Sequence, residues 1–368
     1  MKIVYFSHSL RSCWNHGNAH FLRGVLRELI DLGHDVWALE PEHSWSLDNL
    51  LAQSGEQGLA AFRRAYPELE PRTYSSLDEI DAALDGADVV IAHEWNHHDL
   101  LARLGERRRE GRFLLLFHDT HHRAVSAPDE ITSMPLDDFD AILAFGAVLA
   151  DVYDRRGWAG RTHVWHEAAD TRLFKPPLEE TRRDGLVFVG NWGDDERSRE
   201  LVDYLFAPAA VCGLDVDVHG VRYPQNALET LATYGAHYRG WIANADAPTV
   251  FASHLATVHV PRRFYATILP GIPTIRVFEA LACGIPLLSA PWDDAEGLFR
   301  PGTDYLVAPS GEAMARLMRD VRGDSDVRAS LTNSGLETIR ARHTCRHRAE
   351  ELLSIIAHHR KGCLETVA

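Results

Sequence analysis

Four arginines stand beside short polar loops of this chain: Arg197 and Arg199 in ERSRE, Arg263 after Pro261-Arg262, and Arg276 in PTIRVFEALACG, residues 273–284. Fixed guanidinium groups suit a departing diphosphate, because they stabilise negative charge without moving a proton. At least two of the four are expected to be ordinary solvated side chains, and Arg197 and Arg276 are favoured as ligands. Glu279 follows Arg276 in the same stretch. It falls about one turn into an expected helix, where its carboxylate can accept the hydroxyl pair of a ribose. The plain alternative is a solvated glutamate. The turn at Thr274 and Ile275 offers backbone N–H groups and the positive end of the helix dipole, a seat for a phosphate.

A second group lies in FHDTHHR, residues 117–123. His118 ends an apolar run, where a histidine or aspartate can act as base toward a hydroxyl, and Asp119 is a comparable candidate. Glu94, after another apolar run, is a lesser one. His118, Asp119, His121 and His122 are all metal-ligand types, but histidines bunched in a loop are more often polar cleft or surface groups. The loop WNHGN, residues 14–18, precedes a helix, and Gly17 would let backbone approach a ligand closely beside Asn18.

These loops need elements to hold them, and the chain alternates accordingly. Residues 2–7 read as a strand and 20–32 as an amphipathic helix whose stripe is Phe21, Leu22, Val25, Leu26, Leu29 and Ile30, closed by Gly33. A strand follows at 35–39. Strand, helix and strand in that order make a βαβ unit with a parallel sheet. Further strands are expected at 87–93, 112–118 and 140–145, with 43–75 helical and irregular. Pro176-Pro177 and the charged run after them read as an interdomain connection. A second series then begins: strands at 185–191, in LDVDVHG, HYRGWI and LATVHVP, and in IPLLSA after the helix stop at Gly284, with helices at 311–321, 327–340 and 345–358. Ligands of open α/β sheets bind beyond the carboxyl ends of strands, at the switch in strand order. That rule nominates Asn191-Trp192-Gly193, Gly240-Trp241-Ile242, Pro261-Arg262-Arg263 and Pro273-Thr274-Ile275 in the second half. In the first half it nominates 8–18, 93–97 and 118–122.

With 368 residues, 45% hydrophobic and 25% charged, the chain is a globular protein of two domains. The formal net charge of −15 argues against nucleic acid or an anionic membrane as main partner, while leaving room for a nucleotide in a local basic pocket. No run is long enough for a membrane span, and MKIVYFSHSL reads as a buried strand rather than a signal peptide. The five cysteines, Cys13, Cys212, Cys283, Cys345 and Cys363, have no metal or redox spacing and read as reduced thiols of a cytoplasmic protein.

FEALACGIPLL resembles the donor-site signature of GT-B glycosyltransferases of the group 1 type, especially the branch of spore-maturation-like CgeB proteins. The ending DTRLFKP and the closing helix HTCRHRAEELLSII resemble that family too. The resemblance implies an α/β GT-B fold of two Rossmann-like domains facing across a cleft. An acceptor domain would span 1–172, a nucleotide-sugar domain 173–343, and a C-terminal segment 344–368 would cross back to the first domain. It implies that Glu279 binds the ribose of a UDP- or GDP-sugar donor. Basic residues at Arg197 or Arg199 would meet the diphosphate, Gly17 and Asn18 the donor phosphate or acceptor, and the Gly240-Trp241-Ile242 backbone the base. No metal or other cofactor is implied. Many relatives carry a second glutamate eight positions before the first, near the transferred sugar; here that residue is Gly271.

The function expected is therefore sugar transfer to a carbohydrate, a protein or a small natural product. The alternatives are a sugar-nucleotide epimerase of the same fold, a non-catalytic nucleotide-sugar-binding protein, and last a histidine-based metal hydrolase.

Overall fold

The structure of the protein, a computed structural model, describes residues 1–178, 183–193 and 195–365, with 361–365 as backbone alone. Residues 179–182 of the expected interdomain connection lie outside the described residues. The chain divides into two compact units, Met1–Glu167 with Cys345–Ala368, and Ala168–Thr344.

The first unit is a seven-stranded sheet in the order β3-β2-β1-β4-β5-β6-β7. Its strands are β1 (Lys2–Phe6), β2 (Asp35–Pro41), β3 (Arg72–Tyr74), β4 (Val89–His93), β5 (Leu114–Asp119), β6 (Ala141–Ala144) and β7 (Thr162–Val164), and every pair is parallel. β4 and β5 are apolar up to their closing His93 and His118-Asp119 because helices cover both faces of a parallel sheet, and all eleven of their residues are buried. The helix Ala19–Asp31 buries its predicted stripe except Ile30, which is half-buried. It packs on the C-terminal helix Cys345–Glu365, whose buried residues Cys345, Ala349, Leu352 and Ile356 recur at helical spacing. Residues 43–75, expected as helical and irregular, contain two helices, Trp45–Ser54 and Glu56–Ala65, broken at Gly55 by its φ of 54°, and then the edge strand β3.

The second unit is a six-stranded sheet in the order β10-β9-β8-β11-β12-β13. Its strands are β8 (Leu186–Val189), β9 (Val216–His219), β10 (Ala236–Gly240), β11 (Ala256–His259), β12 (Leu287–Ser289) and β13 (Leu306–Val307), again all parallel. This is the doubly wound order, with its reversal between β8 and β11. The helix Ile275–Cys283 packs on β11 and β12 and ends at Gly284, which takes the left-handed conformation that a helix C-terminus favours.

Candidate functional site

Arg197 lies where the strand order of the second unit reverses. It stands in the connection after β8, at the start of the helix Ser198–Leu201, and is 9% exposed. Its Nη1 donates to the carbonyl of Val260 beyond β11 at 3.1 Å. Its Nη2 donates to the carbonyl and the Oδ1 of Asn191 beyond β8, at 2.7 and 3.1 Å. The guanidinium therefore ties together the two loops on either side of the switch point. Burial, helped by Arg262 and Arg276, lowers its pKa to about 10. Among the described residues no carboxylate forms an ion pair with it, and neighbouring Glu196 is engaged by Arg262. A buried charge without a counter-charge is costly unless a ligand supplies one.

Around Arg197 is a cavity of about 20 Å³, lined among others by Phe188, His259, Val260, Thr274 and Arg276. Thr274 is the N-cap residue of the helix Ile275–Cys283, and its side chain makes no capping bond. Arg276 reaches along this helix to ion-pair with Glu279, which is fully buried. Ile275 is buried at the start of the same helix. Asn191, Arg197, Thr274, Ile275, Arg276 and Glu279 thus belong to one neighbourhood.

The other nominated arginines stand apart from it. The side chain of Arg199 is 85% exposed and lies 3.4 Å from Asp203, and Arg263 pairs with Glu200 at the surface. The loop PRR instead turns Arg262 toward Asn191, whose Oδ1 accepts from its Nη2 at 3.2 Å. Of these two adjacent arginines Arg262 is the more buried, with its side chain 20% exposed against 51% for Arg263, and spacing alone does not say which that is. Gly240 closes the edge strand β10, two strands from β8, with Trp241 and Ile242 just after it, and none of the three lines the cavity. Gly240 has φ of 78°, and its carbonyl accepts from Gly220. Gly271 has φ of 89°, and a Cβ there would lie 3.0 Å from Cγ and 3.2 Å from Oε1 of Glu296. A carboxylate from another loop occupies the space that a side chain at 271 would need.

The first unit gathers its nominated residues at its own switch point, between β1 and β4, but buries the two proposed catalytic groups. His118 is fully buried among Tyr5, Phe21, His93 and Trp165, with Nδ1 2.8 Å from the Tyr5 hydroxyl. Burial drives its pKa down to about 3. Asp119 is also fully buried and accepts from the Tyr153 hydroxyl at 2.6 Å and the His121 N–H at 2.9 Å. Burial raises its pKa. Neither is exposed to solvent in this structure, because both stand at the end of the interior strand β5. Glu94, equally buried, receives Arg123 and Thr120, while burial and Asp119 push its pKa up. The accessible groups here are Trp95, 43% exposed, and the half-buried His8, His121 and Arg123. The Arg123 guanidinium lies 4.0 Å from the Trp95 ring centre. Asn18 begins the helix Ala19–Asp31 with Gly17 just before it, and the Asn18 side chain makes no capping bond. Among the described residues no group of three or more His, Cys, Asp or Glu is arranged to hold a metal ion.

Two doubly wound parallel sheets with these strand orders have counterparts of known structure. HepE from Anabaena, in complex with UDP and glucose, superposes with a TM-score of 0.67 at 14% identity, over 97% of this chain and 100% of that one. Sucrose-phosphate synthase from Thermosynechococcus elongatus gives 0.65 at 15% identity, over 98% of this chain and 100% of that one. The fold is GT-B. A third GT-B structure, a DNA-modifying β-glucosyltransferase, gives 0.64 at 11% identity, over 97% of this chain and 99% of that one. A family model described as glycosyl transferase-like matches residues 197–354, less than half of the chain. That match begins at Arg197 and includes Arg276 and Glu279. No curated protein matches the chain. No described helix is long and apolar enough to cross a membrane.

Proposed function

We propose that this protein is a glycosyltransferase that moves a sugar from a nucleoside-diphosphate sugar to an acceptor hydroxyl. The observation that carries this is Arg197: a buried guanidinium that pairs with no carboxylate among the described residues, at the β8/β11 switch point, sharing a cavity with Thr274 and Arg276. In this account Arg197 and Arg276 hold the diphosphate and stabilise the charge that develops as it leaves. The first turn of the helix Ile275–Cys283 adds backbone N–H groups. Glu279 accepts the ribose hydroxyls, exchanging part of its pairing with Arg276 for them. Glu296, in the space beside Gly271, supplies the carboxylate near the transferred sugar.

HepE has been captured with UDP-glucose, and the DNA-modifying enzyme with uridine diphosphoglucose, which favours UDP-glucose as the first donor to try. The signature FEALACGIPLL supports the group 1 type and its CgeB-like branch. The first unit is assigned to the acceptor, with Trp95, His121 and Arg123 as its accessible groups and His118 and Asp119 buried behind them. The two arginines provide the positive charge, so the transfer is expected to be metal-independent. T4 phage BGT has been captured with UDP and Mn2+, so EDTA belongs in the test.

The test is release of UDP from UDP-glucose by the full chain, with a carbohydrate, protein or small-molecule acceptor mixture and without it. Acceptor-dependent release that survives EDTA is expected. Release without an acceptor, giving a rearranged sugar, would instead establish an epimerase. Donor binding with no turnover under any acceptor would leave a binding protein.

A further inference from the structure

The cavity beside Arg197 has room for about one water-sized group, at about 20 Å³. Two side chains of its wall carry a buried polar atom without a hydrogen-bond partner among the described residues: Nε of Arg197 and Nε2 of His259. His259 closes β11 and is 4% exposed. Its Nδ1 lies 3.0 Å from Oγ of Ser289, the residue paired with it on β12. The single hydroxyl proton of Ser289 is given to the carbonyl of Ala290 at 2.7 Å. Nδ1 must then carry the ring proton and donate to Ser289, which leaves Nε2 as a bare acceptor. Burial and the charge of Arg197 keep the ring neutral, with its pKa near 3.

The unmatched pair is thus one donor, the Arg197 Nε–H, and one acceptor, the His259 Nε2. A phosphate oxygen can serve only the first, and an ammonium only the second. A hydroxyl serves both, accepting from the guanidinium while donating to the imidazole. Thr274 and Arg276 line the same cavity, so such a hydroxyl sits beside the groups assigned to the diphosphate. Glu279, assigned to the ribose, does not line it. We propose that Arg197 and His259 together read one hydroxyl of the transferred sugar, which makes His259 a specificity-determining residue of the donor site and Ser289 its positioning residue. This deepens the transferase assignment and rests on it.

The experiment is calorimetric titration of the full chain with UDP and with UDP-glucose, or with GDP and GDP-mannose if the wild type prefers that base. His259→Phe should weaken the sugar nucleotide about tenfold relative to wild type, the worth of one hydrogen bond to a buried group. The free diphosphate should be unchanged. His259→Gln, whose amide oxygen can take the place of Nε2, should keep most of the preference. Ser289→Ala removes no group from the cavity wall but frees Nδ1 from its acceptor, and it should also lower the preference for the sugar nucleotide. It carries the test alone if His259→Phe fails to fold. An equal loss for diphosphate and sugar nucleotide, or no loss for either, would overturn the inference, because the hydroxyl would then belong to a ribose or a resident water. A wild type that binds no nucleoside diphosphate would overturn the transferase assignment itself, and this inference with it.

Discussion

A buried guanidinium and a surface guanidinium are the same residue type in a sequence, and only burial separates them. Arg197 and Arg199 stand two residues apart, yet the first is buried at the switch point and the second is almost wholly solvated. Arg197→Met should therefore weaken nucleoside-diphosphate binding by about 1.5–3 kcal/mol, the worth of a hydrogen bond to a charged group. Arg199→Ala and Arg263→Ala should leave it within about 0.5 kcal/mol. Titration of the three variants checks this, and a loss in Arg199→Ala equal to that in Arg197→Met would contradict it. Glu296→Gln should lower turnover more than it weakens binding of the free diphosphate, measured as kcat against Kd. Arg197, Arg276 and Glu279 can be nominated from the sequence because each sits beside a loop fixed by a strong strand or helix signal. Arg262 is not, since its neighbour Arg263 has the same chemistry and the loop geometry decides which turns inward. The burial of His118 is equally hidden, because the end of an apolar run marks a strand without saying how deep its last residue lies.

At the level of elements, long apolar runs mark the interior strands directly, while short edge strands escape. β7 and β13 have three and two residues, too few for any alternation to show. The packing of elements makes two predictions. Gly220 follows β9, and a Cβ there would lie 2.1 Å from the carbonyl oxygen of Gly190, in the connection that leads to Asn191. That atom is backbone and cannot swing aside. Gly220→Ala should lower stability by about 2 kcal/mol or more and displace the anchor of Arg197, with losses visible in thermal unfolding and in diphosphate affinity. The first unit is also expected to be acid-sensitive. Burial lowers the pKa values of His8, His16, His93 and His118, to about 4 for His8 and about 3 for His118. The unfolded chain takes up protons below about pH 6.5 and the folded unit does not. Stability is then complete above that pH and falls below it, by up to about 1.4 kcal/mol per pH unit for each histidine. The raised pKa values of Glu94 and Asp119 act the other way, but two carboxyls do not offset four histidines. The thermal midpoint should drop clearly between pH 7.5 and 5, and a flat profile would contradict the assignment of neutral buried rings.

For the whole molecule, the two units differ in how the chain builds them. The second is one continuous stretch, Ala168–Thr344, and it holds every residue assigned to the donor. The first is closed by a C-terminal helix that buries Cys345, Ala349, Leu352 and Ile356 against it. The fragment 168–344 should therefore fold alone and keep diphosphate affinity within about tenfold, whereas removal of 345–368 should unfold the first unit by exposing that face. That there are two α/β units is legible in the sequence, because strand and helix patterns alternate through both halves, but the division falls between Glu167 and Ala168, and the proline pair Pro176-Pro177 lies inside the second unit. The measurement that tests the central claim most directly is titration of UDP, GDP, ADP, CDP and dTDP into the full chain and its Arg197→Met and Glu279→Ala variants, with thermal unfolding alongside. One diphosphate at about a hundred times its dissociation constant should stabilise the wild type by about 2.7 kcal/mol, and both variants should lose most of that shift. If no diphosphate stabilises the wild type, or if one does so equally in the Arg197→Met variant, the buried arginine is not the seat of a donor phosphate and the assignment of function is contradicted.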